Sequence, residues 1–357
     1  MRPRNLSDHI EYRAGHSIEE VARELGRDPE EFVKLASNEN MFGPSPAAAK
    51  TIEESAEDAH HYPTADHQDL REALAKRWDV TSEQVWLANG GDGVIDYLHR
   101  AILEPGDEVL VPTPGFSYYG MSARYHHAEV AEYDITTMDG FALTAERVLE
   151  AYSGERIIYI TSPHNPSGGR FALKDVKKIA AETEDETLIA VDEAYGEFTD
   201  APSAVDIVHD RTDIAVLHTF SKAYGLAGLR LGYALVPTEW ADAYARVNTP
   251  FAASLLACRA GLAALDDNTH VEQTIETARW SREYMTEFIE APTYESHGNF
   301  LLVEVGEASA IAESMRERGV IIRDCSSLGL PECVRITCGT KDETKYAVRT
   351  LNEILSS

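Results

Sequence analysis

The chain has 357 residues, 43% of them apolar, and carries 61 acidic against 32 basic residues, a formal net charge of −29. This length predicts a globular protein with one large domain and a smaller companion. The negative charge argues against nucleic acids and anionic membranes as partners, because their phosphate groups would be repelled. At about 1 M salt the screening length falls to about 3 Å, so the charge is best tolerated in a salt-loving host. Equal folding and activity with and without molar salt would contradict this hypothesis.

The sequence contains no apolar run of about 18 residues and no basic-then-apolar leader, so we expect a cytoplasmic protein. The four cysteines, at 258, 325, 333 and 338, lack Cys-x-x-Cys spacing, and we expect them to be reduced and structural. The histidine pairs at 60–61 and 126–127 have no accompanying set of carboxylates. We therefore expect no metal site.

Three regions follow one another along the chain. Residues 1–44 are predicted to form an N-terminal arm that packs on the small domain, with helical spacing of apolar residues between 18 and 25. Residues 45–245 alternate strand-like and helix-like segments, which predicts an α/β domain with a largely parallel sheet. The predicted strands are 84–88, 108–111, 156–161, 187–191 and 214–219, and the predicted helices are 93–103 and 173–184.

Residues 246–357 show a different pattern, which predicts a smaller C-terminal α+β domain. Long helices extend to about residue 290. The predicted strands that follow are 300–305, 320–323 and 334–337, and the predicted closing helix is 342–355.

The segment from Thr219 to Tyr233 places a lysine, a hydroxyl and an arginine around one glycine-flanked turn. The amine of Lys222 can form an imine with an aldehyde, while Ser221 and Arg230 can bind a phosphate. A lone lysine in a loop is usually a solvated surface charge. This lysine, however, follows a strand-like run and precedes glycines at 225, 228 and 232. The combination predicts a site for a cofactor with an aldehyde and a phosphate, as in pyridoxal phosphate.

Polar residues follow two further predicted strands. Asp192 ends a buried-type strand, where a carboxylate is costly unless a cation such as a protonated pyridine ring pairs with it. Such an aspartate makes the ring a better electron sink. Asn165, in a loop rich in proline and glycine, and Tyr195 can both donate to the phenolic oxygen of that ring. Alone, each pattern is ordinary turn structure, and only their combination points to this chemistry.

Two more segments suit a phosphorylated, flat cofactor. Gly90-Gly91-Asp92-Gly93 lies between a predicted strand and helix, where free backbone amides and the helix dipole favour a phosphate. Its spacing differs from Gly-x-Gly-x-x-Gly, which argues against a dinucleotide-binding dehydrogenase. Phe116 follows another predicted strand, and its ring either stacks on a heterocycle or belongs to the core.

These segments and their order resemble the fold-type-I pyridoxal-phosphate-dependent aminotransferases over nearly the whole chain, and within them the histidinol-phosphate aminotransferase subgroup. The motifs that carry the resemblance lie at 34–40, 43–45, 61–63, 219–233 and 334–340. It implies a large domain with a mostly parallel sheet of the seven-stranded type, a smaller α+β domain and a homodimer with shared active sites. It also implies amino-group transfer between L-histidinol phosphate and 2-oxoglutarate, giving imidazole acetol phosphate and L-glutamate, in histidine biosynthesis.

The resemblance also implies roles for individual residues. The catalytic set is Lys222, which would bond the cofactor, Asp192 at the ring nitrogen and Tyr195 at the phenolic oxygen. Asn165 would also bind the phenolic oxygen, and Phe116 would stack on the ring. The phosphate would be held by the backbone of Gly91 and Asp92, by Ser221 and Arg230, and by Tyr62 from a second subunit. The substrate, through its phosphate or the carboxylates of glutamate, would contact Tyr12, Asn165, Arg323 and Arg335.

Some positions depart from the family pattern without removing a group to which a role is assigned. They are Met41, Gly93, Ser162, His164 and His218. From sequence, a threonine-phosphate decarboxylase and an aromatic amino-acid aminotransferase stay open as alternatives on the same scaffold. A protein that binds the cofactor without catalysis is a remoter alternative, because Lys222, Asp192 and Arg230 occur together.

Overall fold

A computed structural model describes residues 6, 9, 11, 12, 15–64 and 66–357, so part of the predicted arm lies outside the described residues. The helices are α1 (Ile18–Leu25), α2 (Pro46–Ser55), α3 (Gln68–Trp78), α4 (Gly90–Ile102), α5 (Tyr118–Tyr125), α6 (Ala145–Ala151), α7 (Leu173–Glu182), α8 (Val205–Val208), α9 (Ala241–Val247), α10 (Leu255–Asp266), α11 (Asn268–Phe288), α12 (Ala308–Glu317) and α13 (Lys341–Leu355). The strands are β1 (Val33–Leu35), β2 (Val85–Asn89), β3 (Glu108–Thr113), β4 (Glu129–Asp134), β5 (Ile157–Thr161), β6 (Leu188–Asp192), β7 (Ile214–Thr219), β8 (Leu231–Leu235), β9 (Phe300–Glu304), β10 (Val320–Asp324) and β11 (Cys333–Thr337).

The large sheet has seven strands in the order β2-β8-β7-β6-β5-β3-β4. Strands β3 to β7 pair in parallel, whereas β8 runs antiparallel to both β2 and β7. Every residue of β5, β6 and β7 is buried, as expected for parallel strands with helices on both faces. The prediction of an α/β fold with a mostly parallel sheet is confirmed.

The pairing directions bring the polar ends of several strands to one edge of the large sheet. Strands β3, β5, β6 and β7 end at this edge because they are mutually parallel. Strand β2 also ends there, since it is antiparallel to β8, which is antiparallel to β7. Strand β8 begins at the same edge, directly after Arg230. Ligands of open α/β sheets bind at the carboxyl ends of the strands, so this edge is where a site is expected.

Apolar side chains fill both faces of the large sheet. On β6, Ile189 and Val191 belong to the core on one face, whereas Leu188 and Ala190 belong to the core on the other. This alternation follows from the two-residue repeat of a strand. Fully burying a large apolar side chain contributes about 1.5–3 kcal/mol. The packed sheet therefore gives the residues at its edge a rigid support.

A smaller four-stranded sheet has the order β1-β10-β11-β9. Strand β1 is parallel to β10, and the other pairs are antiparallel. Side chains of α11, α12 and α13 cover this sheet, among them Ala278, Met315 and Leu351. Strand β1 lies within the predicted arm and was not predicted as a strand. The domain boundaries at 44 and 245 stay predictions.

The cysteines are free and buried. Burial raises the pKa of the Cys258 thiol to about 12, which disfavours the reactive thiolate. In the part of the chain that the structure describes, none of the helices combines the length and apolar composition that crossing a membrane requires.

Candidate active site

Lys222 lies in the turn that follows β7 at the carboxyl edge of the large sheet. Its Nζ donates a hydrogen bond to the carbonyl oxygen of Ser37 at 3.2 Å and lies 5.6 Å from the centre of the Tyr195 ring. The flanking residues Ser221 and Ala223 are buried, so the backbone that carries the lysine is anchored. An amine is thereby held beside an aromatic ring at the edge where a ligand is expected.

Asp192, the last residue of β6, is 8% exposed. Its Oδ2 accepts a hydrogen bond from the Tyr119 hydroxyl at 2.5 Å, and its Oδ1 accepts one from the Ala194 amide at 2.9 Å. Burial raises the pKa of this carboxyl, against the smaller lowering effects of those hydrogen bonds and of the Lys222 charge. A protonated ring nitrogen beside Asp192 would compensate the buried charge, so the carboxylate fits its predicted partner.

Two predicted substrate arginines lie next to each other on the small sheet. Arg323 on β10 and Arg335 on β11 are paired across the strands. The Arg335 guanidinium donates to Asn165 Oδ1 from Nη1 and to the Ala36 carbonyl oxygen from Nη2 at 2.8 Å. Arg335 is 6% exposed, and these contacts hold its planar group in one orientation. The loop after β5 and the small sheet thus meet at Asn165.

The predicted phosphate ligands cluster where β2 passes into α4. The Arg230 guanidinium donates to Asp92 Oδ2 at 3.0 Å and to Ser221 Oγ at 3.5 Å. Ser221 Oγ also accepts a hydrogen bond from Thr219 Oγ1 at 3.0 Å, which leaves the serine hydrogen available for another acceptor. Gly91 lies in the first turn of the 13-residue helix α4, whose dipole favours an anion there.

Backbone conformation explains why glycine stands at the start of this helix. Gly90 has a φ of +78°, and a Cβ at this position would lie 2.5 Å from Arg230 Nη2. At Gly232 a Cβ would lie 2.6 Å from the carbonyl carbon of Gly90. The close approach of β2, β8 and Arg230 thus requires glycine, which has no side chain, at positions 90 and 232. Together with the buried carboxylate of Asp192, this cradle fits a phosphorylated pyridine cofactor.

The predicted aromatic residues occupy two places. Phe116 makes edge-to-face contacts with Tyr119, at 5.4 Å between ring centres, and with Tyr12, at 6.4 Å. Tyr62 is 79% exposed and stacks on Phe251 at 4.4 Å. Phe116 therefore lies beside Tyr119, whose hydroxyl donates to Asp192, and Tyr12 lies beside Phe116. Tyr62 instead presents an aromatic surface to solvent.

Sequence reasoning missed two residues that support this group. Tyr119 was given no role of its own from the sequence, although its hydroxyl contacts Asp192 across 73 positions of sequence. Asn38 lies in one of the motifs that carry the family resemblance but had no role, and its side-chain amide donates to the Tyr195 hydroxyl at 3.0 Å. Asparagine is favoured in the left-handed backbone conformation that Asn38 adopts. The sequence does not reveal that conformation, so this preference could not identify Asn38 in advance.

Glu193, directly after Asp192, is a buried acid whose oxygens accept hydrogen bonds from the Ser203 hydroxyl at 2.6 Å and the Ala204 amide at 2.7 Å. Burial raises the pKa of Glu193 from 4.5 to about 7. Because the folded pKa is raised, the stability from this group is complete below pH 4.5 and is lost as the pH rises through about 7. The loss amounts to about 3 kcal/mol at most.

We expect Glu193→Gln to remove this pH-dependent loss, since glutamine resembles the protonated acid and does not titrate. Melting curves across this pH range should fall less steeply for Glu193→Gln than for the wild type. Glu186→Gln is the matched control, because its side chain is 87% exposed. A slope for Glu193→Gln equal to that of the wild type would contradict the buried-acid interpretation.

The comparisons with known proteins agree with the fold. The model of the family "Aminotransferase class I and II" matches residues 30–351. The chain belongs to this family of aminotransferases, and the resemblance drawn from its motifs is confirmed.

Among its relatives, the histidinol-phosphate aminotransferase of Haloarcula marismortui is 64% identical over 99% of both chains. That of Methanosarcina mazei is 43% identical over 97% of this chain and 94% of its own. The crystal structure of histidinol-phosphate aminotransferase from Sinorhizobium meliloti, in complex with pyridoxal-5'-phosphate, is 25% identical, with a TM-score of 0.88 over 99% of this chain and 98% of its own. Several further relatives come from halophilic archaea, in agreement with the prediction from net charge.

Proposed function

We propose that this chain is a histidinol-phosphate aminotransferase of histidine biosynthesis. It transfers an amino group between L-histidinol phosphate and 2-oxoglutarate, giving imidazole acetol phosphate and L-glutamate. Its cofactor is pyridoxal phosphate. The single observation that carries the proposal is the 64% identity to a histidinol-phosphate aminotransferase along 99% of both chains. The contacts of Lys222 and Asp192 at the carboxyl edge of the large sheet, and of Arg335 on the small sheet with Asn165, support the chemistry.

The residues at the sheet edge are assigned to the cofactor by what each can donate or accept. The buried Asp192 carboxylate binds the ring nitrogen, and Asn165 and Tyr195 bind the phenolic oxygen. Phe116 stacks on the ring. The phosphate is bound by the amides of Gly91 and Asp92, the Ser221 hydroxyl and the Arg230 guanidinium. The short distances among the Arg230, Ser221 and Asp92 side chains support this last group.

A second copy of the chain completes the site in this proposal. Tyr62, which is 79% exposed, is assigned to the cofactor phosphate of the other subunit in a homodimer. A tyrosine hydroxyl can donate one hydrogen bond to a phosphate oxygen. The large exposed ring, stacked on another aromatic ring, supports an interface position.

When bound, the cofactor supplies an aldehyde and a ring that withdraws electrons from the substrate carbon attached to the amino nitrogen. Lys222 would hold the cofactor through its aldehyde, and its Nζ would act as the base for the proton on that substrate carbon. Asp192 keeps the ring nitrogen protonated. Tyr195, Asn165 and Phe116 would hold and orient the ring.

Arginine contacts provide the local positive charge that an anionic substrate needs. The protein as a whole carries a net charge of −29, so long-range attraction does not recruit a phosphate or a carboxylate. Arg323 and Arg335 are paired across neighbouring strands, and together with Tyr12 and Asn165 they are assigned to the substrate. A guanidinium donates two parallel hydrogen bonds to such groups, which fixes orientation as well as affinity.

We expect Arg335→Lys to raise the KM for at least one substrate by about 10-fold or more, with a smaller effect on kcat. Lysine keeps the charge but cannot make a two-pronged contact, and a hydrogen bond to a charged group is worth about 1.5–3 kcal/mol. Steady-state kinetics with each substrate varied in turn measure the effect. Arg349→Lys is a control, because Arg349 is exposed on α13. Unchanged constants for both substrates would remove Arg335 from substrate binding.

The proposed function is tested by adding L-histidinol phosphate, and separately L-glutamate, to the yellow holoenzyme. Each compound should convert the visible absorption band of the resting enzyme to that of the amine form of the cofactor. Phosphothreonine and an aromatic amino acid serve as competing donors, with released carbon dioxide measured for the former. Faster conversion by an aromatic amino acid, or carbon dioxide release without amino transfer, would reject the proposed substrate.

A further inference from the structure

Asn38, in the turn after β1, is held in an unusual conformation by several hydrogen bonds. It is 1% exposed and has a φ of +55°, a left-handed conformation that non-glycine residues adopt rarely. Its backbone N–H donates to Thr337 Oγ1 at 3.0 Å, and its backbone carbonyl accepts from Asn299 Nδ2 at 3.1 Å. A strained residue that its surroundings determine this fully commonly has a functional reason.

The contacts with Thr337 determine which atom of the Asn38 side chain faces Tyr195. Thr337 Oγ1 accepts the Asn38 backbone N–H and donates its single hydrogen to Asn38 Oδ1 at 3.0 Å. Turning the amide over would leave this hydroxyl, on a residue 3% exposed, without that acceptor. The nitrogen Nδ2 therefore faces Tyr195 and donates to its hydroxyl oxygen at 3.0 Å.

This donation restricts what the Tyr195 hydroxyl can do. A tyrosine hydroxyl has one hydrogen and accepts through its oxygen lone pairs. Because an Asn38 hydrogen points at the oxygen, the Tyr195 hydrogen is directed away from Asn38. Tyr195 is 5% exposed, so little solvent competes for this hydrogen.

We propose that Asn38 is a positioning residue that fixes Tyr195 as a hydrogen-bond donor to the phenolic oxygen of the cofactor. The inference rests on the proposed assignment of Tyr195 to that oxygen. Asn38 also joins the two sheets at this point, since Thr337 ends β11 of the small sheet and Tyr195 follows β6 of the large sheet. The small sheet thereby determines the direction of a hydroxyl that the large sheet carries.

The test is a spectrophotometric pH titration of the substrate-free holoenzyme, which measures the pKa of the bound chromophore. Asn38→Asp replaces the donating amide with an acceptor of the same size, so the Tyr195 hydrogen turns toward residue 38. We expect the chromophore pKa to rise by about 1 to 2 pH units, because a hydrogen bond to the deprotonated oxygen normally lowers it. Tyr195→Phe, which removes the hydroxyl, should give the same rise.

The double variant separates this effect from a direct effect of the new carboxylate. If Asn38 acts through Tyr195, Asn38→Asp adds no further rise to that of Tyr195→Phe. A full additional rise in the double variant, or an unchanged pKa in folded Asn38→Asp, would overturn the inference. An unchanged pKa in Tyr195→Phe would overturn the assignment of Tyr195 as well, so the two failures are distinguishable.

A third variant covers the case in which Asn38→Asp does not fold. Asn38→Gly adopts the positive φ without strain and removes the amide. We expect its chromophore pKa to lie between those of the wild type and Tyr195→Phe, because the hydroxyl is then free to turn. A wild-type pKa in this variant would also overturn the inference.

Discussion

Lys222→Ala should reduce turnover by at least about 1000-fold, because the variant loses both the group that bonds the cofactor and the base that moves the substrate proton. Cofactor should still bind in part, since Ser221, Arg230 and the first turn of α4 are unchanged. Single-turnover rates with L-histidinol phosphate measure the chemical step. Cofactor content of the purified variant, read from its absorbance, measures retention.

Two further variants make the Lys222 experiment specific. Lys222→Arg keeps a positive charge near Asp192 but provides no amine that deprotonates at ordinary pH, so it should be nearly as inactive. Lys178→Ala is the matched control, because this lysine is 39% exposed and paired with Glu146, and its activity should be close to that of the wild type. Wild-type turnover in Lys222→Ala would refute the proposed role of Lys222.

The sequence predicted five of the seven strands of the large sheet and missed β4 and β8. Strands β5, β6 and β7 are continuous apolar runs that are buried on both faces, so their pattern is clear. Strand β4 was missed because it lies at the edge of the sheet and carries charged residues at 129, 132 and 134. Strand β8 was missed because its first residues, including Gly232, were interpreted as part of the glycine-flanked turn.

The site residues that could be predicted are those whose residue type is required by the chemistry and which lie next to a strand. Asp192 ends a strand, Lys222 follows one and Arg230 precedes one, so the sheet topology alone brings them to one edge. Contacts between distant segments could not be predicted, as with Asn38 and Thr337, which are 299 positions apart. Such contacts depend on how the two sheets pack together, and no local periodicity in the sequence records that packing.

A second large effect is expected for Asp192→Asn, which should reduce kcat by about 100- to 1000-fold. Asparagine has nearly the same shape and can accept from Ala194, but it carries no charge to keep the ring nitrogen protonated. Breaking a buried charge pair costs about 3–5 kcal/mol. Asp200→Asn is the matched control, because the Asp200 side chain is 91% exposed and only its surface pair with Arg279 is lost.

The cofactor-free protein should respond to Asp192→Asn in the opposite sense, and this separates loss of the ring partner from general damage. Burial raises the pKa of Asp192 above its ordinary value of 3.8, so its contribution to stability is complete below that value and is lost as the pH rises through the raised pKa. The neutral asparagine avoids this loss. At neutral pH the cofactor-free variant should therefore melt no lower than the cofactor-free wild type, whereas bound cofactor should stabilise the variant less. A lower melting temperature of the cofactor-free variant, together with unchanged stabilisation by the cofactor, would mean that Asp192 supports the fold and does not pair with the ring.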